Sequence, residues 1–137
     1  MAVVAEVIRL EDNKTISFGD YLSSEKKKVN NFEVDGSSYK VKTYKELTRL
    51  EKNGILLIET VPGASIHKLS LNEKRVTFSI SGFTDTKITL ELEPETEYKI
   101  FIDSVNVGSM ISNVAGKINF SNGLNDDLQT IKIEKCQ

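Results

Sequence analysis

In several runs between His67 and the C-terminus, apolar residues fall at every second position. Val76, Phe78 and Ile80 alternate with Thr77, Ser79 and Ser81; Ile88, Leu90 and Leu92 repeat the pattern, as do Ile131 and Ile133. A period of two places one face of a strand in a dry core and the other in water. This reading predicts strands over 67–71, 75–81, 87–92, 98–103, 107–112, 116–121 and 129–134. Turn-rich pieces rich in Asn, Asp, Gly and Ser separate them. Seven short strands at regular spacing predict an immunoglobulin-like β-sandwich over 65–137.

The first 64 residues read as a β-rich N-terminal segment. Val3 to Leu10 is dense in β-branched residues and favours a strand. Thr15 to Phe18 is a second strand, and polar Ser23 to Asn31 reads as a loop. Asn31 to Val34 and Tyr39 to Thr43 alternate around Asp35-Gly36-Ser37-Ser38, a hairpin signal. Tyr44 to Lys52 leaves two readings open. Leu47 and Leu50, with Glu46, Arg49 and Lys52, suit a short helix over 44–52 capped by Asn53-Gly54. Alternatively, Asn53-Gly54 turns a hairpin. Ile55-Leu56-Leu57-Ile58 has no polar alternation, which predicts cover on both faces or an interface. Val61-Pro62-Gly63 suits a type II turn. The fold class is therefore all-β.

The stretch Leu92-Glu93-Pro94-Glu95-Thr96-Glu97-Tyr98 links two alternating runs. Leu92-x-Pro94-x-Thr96-x-Tyr98 resembles the corner of fibronectin type III modules, although the usual tryptophan is absent. The resemblance implies that Tyr98 pins the corner by bonding its hydroxyl to nearby backbone.

Charge changes the picture by exclusion. Eighteen basic residues face twenty acidic ones, for a net charge of -2. No basic excess exists to neutralise phosphates, so nucleic acid is not expected as a partner. Lys26-Lys27-Lys28 reads as a solvated loop. The single cysteine, Cys136, excludes an internal disulfide framework. The start lacks the basic segment of a secretory signal, and no apolar run approaches a membrane span. Those features predict no membrane association and a cytoplasmic location by default, with spore, phage or cell-surface association as the other expectation.

Candidate chemistry is sparse. His67 is the only histidine. Ser65 lies near it, yet no Gly-x-Ser-x-Gly elbow occurs. Glu91, Glu93, Glu95 and Glu97, and the pair Asp126-Asp127, do not follow calcium-loop spacing. Tyr21, Tyr39, Tyr44 and Phe83 are the aromatics that a sugar platform would use. No catalytic residue, metal ligand or cofactor is expected.

Thr15-Ile16-Ser17-Phe18-Gly19, Tyr39-Lys40-Val41-Lys42-Thr43, Val61-Pro62-Gly63 and Glu95-Thr96-Glu97-Tyr98-Lys99-Ile100 resemble short proteins of spore-forming anaerobes that carry the label endosialidase. Sialidase chemistry needs an arginine cluster and a tyrosine nucleophile. This chain has Arg9, Arg49 and Arg75 in three separate elements. The expectation is therefore a non-catalytic structural or interaction protein. It would form a homo-oligomer or bind a protein partner through β surfaces, with Ile55, Leu56, Leu57 and Ile58 as the candidate interface. A small carbohydrate-binding module with a glycan ligand is the alternative. A phage- or spore-associated accessory protein is the second.

Overall fold

The computed structural model describes residues 3–136. Within them thirteen strands form. The first six are β1 (Ile8–Leu10), β2 (Ile16–Phe18), β3 (Lys27–Val34), β4 (Ser37–Tyr44), β5 (Leu47–Lys52) and β6 (Ile55–Val61). The others are β7 (Ser65–Leu71), β8 (Arg75–Ser81), β9 (Asp85–Glu91), β10 (Glu97–Ile102), β11 (Val105–Ile111), β12 (Lys117–Gly123) and β13 (Gln129–Lys135). All seven strands expected in the second half are present, shifted at their ends by two residues at most. No helix occurs among the described residues.

The strands form two antiparallel sheets. Sheet A has the order β1-β2-β7-β8-β13-β10-β11, and sheet B the order β12-β9-β6-β5-β4-β3. One hydrophobic core lies between them. Ile66, Phe78, Ile80, Ile131 and Ile133 enter it from sheet A; Val41, Leu50, Ile58, Ile88 and Leu90 enter from sheet B. Each of these side chains is almost fully buried. Full burial of such a residue contributes about 1.5–3 kcal/mol before ordering costs. Both sheets draw strands from either side of residue 64. Among the last seven strands, β13 lies between β8 and β10, whereas an immunoglobulin constant-type domain keeps its strands in the orders ABED and CFG.

Several local expectations are corrected. The segment 44–52 forms no helix: Tyr44 ends β4, Lys45-Glu46 is a turn and Leu47–Lys52 is β5, so of the two readings the hairpin one holds. β5 pairs with β4 and β6, with Thr48 and Leu50 buried and Arg49 and Glu51 on the outer face. Asn53 and Gly54 both have positive φ, 51° and 82°, as a two-residue I′ hairpin turn requires. Asp35 and Gly36 do the same between β3 and β4. The expected loop over 23–31 gives way to β3 from Lys27 onward. Of the strand expected over Val3 to Leu10 only Ile8–Leu10 forms, because a turn returns Val7 N–H to the Val4 carbonyl.

The Val61–Pro62 peptide is cis, and Gly63 is not among the residues with positive φ. The type II turn is therefore not formed. Gly63 is needed for a different reason: a Cβ there would overlap the carbonyl oxygen of Tyr44.

Buried hydroxyls tie the sheets together at this end. Thr48 Oγ1 and Thr43 Oγ1 lie 2.8 Å apart, and Thr48 donates to the Ala64 carbonyl at 2.8 Å. Ala64 N–H donates back to Thr48 Oγ1 at 3.1 Å. Asp20 N–H reaches Thr43 Oγ1, and Ser65 Oγ donates to the Gly19 carbonyl.

Candidate functional site

The four sheet edges are β1 and β11 in sheet A, and β3 and β12 in sheet B. An edge strand presents unpaired N–H and C=O groups, and proteins usually blunt it with charge, brevity or a bulge. β1 has three residues, including Arg9. β3 carries Lys27, Lys28 and Glu33, and a register shift beside Asn31 bends it. β11 is different. Its seven residues, Val105-Asn106-Val107-Gly108-Ser109-Met110-Ile111, hold no charge and no proline. Val105, Val107 and Ile111 are 61%, 55% and 68% exposed. One bulge, at Val107, is its sole blunting device. β12 runs in unbroken register with β9 over seven pairs, and Lys117 is its one charged residue.

Ile100, Ile102, Val107 and Met110 from sheet A, with Phe120 from sheet B, line an open groove of about 420 Å³ between β11 and β12. Gly108, paired with the buried Ile100, has φ 138°, and a Cβ added there would touch nothing. The inner face of β10 and β11 is thus only partly covered. Phe120, Ile102 and Met110 are half-buried against the core and continue it to this side.

The predicted site residues fall elsewhere. Leu57 and Ile58 are buried within the fold. A register shift pairs Leu50 with Ile58 and Glu51 with Leu56, so Leu57 is the extra residue of a bulge. That bulge turns two successive side chains inward and explains the missing alternation. Leu56 is half-buried and Ile55 remains 59% exposed. Ile55 lines a second open groove at the end of the sandwich with Leu92, Tyr98, Leu71 and Arg75. The corner therefore lies beside one end of the Ile55–Ile58 run.

At the corner itself the chain passes from β9 in sheet B to β10 in sheet A. Tyr98 is buried, and its hydroxyl accepts the Glu93 N–H at 3.1 Å. Thr96 Oγ1 donates to the Pro94 carbonyl, and Thr96 N–H reaches Ser112 Oγ. Leu92 N–H donates to the Gly116 carbonyl at 2.6 Å.

Of the aromatics, Tyr21 and Tyr39 are buried. Tyr21 donates to Asp126 Oδ1 at 3.1 Å and meets Phe83 edge-on with ring centroids 5.6 Å apart. Burial raises its phenol pKa, and Asp126 and Asp20 raise it further. Tyr44 is half-buried beneath Lys26, and Phe83 is exposed. His67 is half-buried in register with Ser79, while the nearby Ser65 hydroxyl is engaged by the Gly19 carbonyl. Arg9, Arg49 and Arg75 pair with Glu6 and Glu11, Glu51 and Glu59, and Glu134 respectively. They occupy β1, β5 and β8. Among the described residues, no group of three His, Cys, Asp or Glu side chains is placed to hold a metal ion.

No protein-family model matches the chain, and comparison with curated proteins and with solved structures likewise gives no match.

Proposed function

We propose that this protein is a non-catalytic structural component that self-assembles through the open side between β11 and β12. The observation that carries this reading is the pair of long edges, with one formal charge between them, flanking an apolar groove. A twofold contact sets the same surface against itself, so a charged edge would repel its own copy. An uncharged one does not. Added strands would satisfy the unpaired backbone of β11 and β12 and cover Val107 and Ile111.

Topology supports the same side. The pairs β8·β13, β9·β12 and β10·β11 nest inside one another and alternate between sheets. That follows the wrap of a double-sheet jelly roll, which has eight strands. The strands that would cover β10 and β11 have no counterpart among the described residues. A second copy supplies equivalent cover.

Native mass spectrometry and light scattering over a concentration series test the proposal. The wild type is expected as a dimer or larger species, and Val107→Lys and Ile111→Lys as folded monomers. A strict monomer at high concentration overturns it, and so does an oligomer that both variants leave intact.

A further inference from the structure

The outer face of sheet B carries a row of cations that no single stretch of sequence reveals. Lys28 on β3 sits directly opposite Lys42 on β4, and Lys42 directly opposite Arg49 on β5. Lys40 lies two residues before Lys42, on the same face. Like charges directly opposite across a ladder destabilise it. Here two such pairs occur in one row.

The nearby carboxylates are already engaged. Glu51 accepts from Arg49 Nε at 3.1 Å, and Glu59 accepts from Arg49 Nη1 at 2.6 Å. Among the described residues, neither acid bonds to Lys28, Lys40 or Lys42, and those three lysines have no ion pair. Residues 26–52 hold eight Lys and Arg against four Asp and Glu, a net of +4 inside a chain whose total is -2. Of these, Lys28, Lys40, Lys42 and Arg49 share the outer face of β3 to β5, where Glu51 sits opposite Lys40.

The cations also enclose a shaped space. Lys28, Lys40, Lys42, Arg49 and Glu51 line a cleft of about 110 Å³. One water takes roughly 30 Å³ of liquid, and pockets for drug-sized molecules start at about 300 Å³. The cleft thus suits one small ion.

We propose that this cleft binds a tetrahedral oxyanion, a phosphate or sulfate group, between Lys28, Lys40 and Lys42. Arg49 is held in place at its edge by Glu51 and Glu59. Bound there, a doubly charged oxyanion removes the repulsion along the row and accepts from several ammonium groups at once. The site lies on β3 to β5, at the far end of sheet B from β12, so it is independent of assembly through the open side.

The test is a thermal unfolding series at constant ionic strength, replacing sodium chloride by millimolar sodium phosphate or sodium sulfate. It is read beside backbone amide shifts in NMR titrations with the same ions. Wild type is expected to gain several degrees in a saturating manner, with the largest amide shifts at residues 28, 40, 42 and 49. Lys42→Gln is expected to melt higher than wild type in chloride, because repulsion is relieved, and to lose the oxyanion increment. A further arm uses linear polyphosphate. Saturation by the single ions supports the site, whereas a response to the polymer alone overturns it in favour of an extended polyanion surface. An equal increment in wild type and Lys42→Gln also overturns it, since general salt exclusion acts on both alike.

Discussion

The hydroxyl of Tyr98 accepts the backbone N–H of Glu93 across the corner that carries the chain from one sheet to the other. The ring is buried, and donor and acceptor lie five positions apart in sequence. The hydroxyl thus fixes how β9 hands over to β10. Tyr98→Phe keeps the ring and deletes the bond. It is expected to cost about 1 kcal/mol, the usual net worth of one such hydrogen bond. Urea unfolding reads this as a lower midpoint with an unchanged slope. An unchanged midpoint would show that the hydroxyl pins nothing.

Thr48 and Thr60 are both fully buried on sheet B, but their hydroxyls differ. Thr48 Oγ1 bonds Thr43 and both backbone groups of Ala64, whereas Thr60 Oγ1 has no partner. Thr48→Val strands a buried N–H and should destabilise by roughly 2 kcal/mol. Thr60→Val should be neutral or stabilising, because it removes an unpaired polar atom. Calorimetric melting of the two variants gives the comparison. Equal losses would contradict the assignment of the tie to Thr48.

Acid stability should depend on Glu11. The Ser17 hydroxyl donates to its carboxylate, and Arg9 Nε pairs with it at 2.9 Å; together they outweigh desolvation and hold its pKa below the ordinary carboxylate range. A lowered folded pKa means that the unfolded chain takes up the proton first as pH falls. The stabilisation is therefore present at neutral pH and disappears as pH drops through the folded value. Glu11→Gln should be less stable than wild type at pH 7, with the gap closing below the ordinary carboxylate range. Unfolding midpoints measured from pH 7 to pH 2 check the sign. A gap that widens toward acid would refute it.

The second half of the fold was legible because each strand there has one wet and one dry face. Val76-Thr77-Phe78-Ser79-Ile80 announces its own orientation. Other elements were hidden for identifiable reasons. β3 is an edge strand with no buried residue, so Lys27 to Asn31 shows no alternation. β5 bears Arg49 and Glu51 on its outer face, and such residues score well as helix formers; pairing on both sides overrode that preference. Ile55 to Ile58 misled because a bulge breaks the period of two. Tyr98 was visible as a corner residue from its spacing to Pro94. Edge status was not, since Val105 to Ile111 reads as an ordinary strand until its neighbours are known. The cation row was equally invisible, as Lys28, Lys42 and Arg49 meet only through register.

β13 lies in the middle of sheet A, between β8 and β10. During synthesis, the ribosome delivers both of those neighbours long before residues 129–135. Without β13, β8 and β10 share no ladder, and Phe78, Ile80 and Ile100 lack the strand that pairs beside them. Continuity of sheet A thus depends on a seven-residue segment that follows both of its neighbours in the chain.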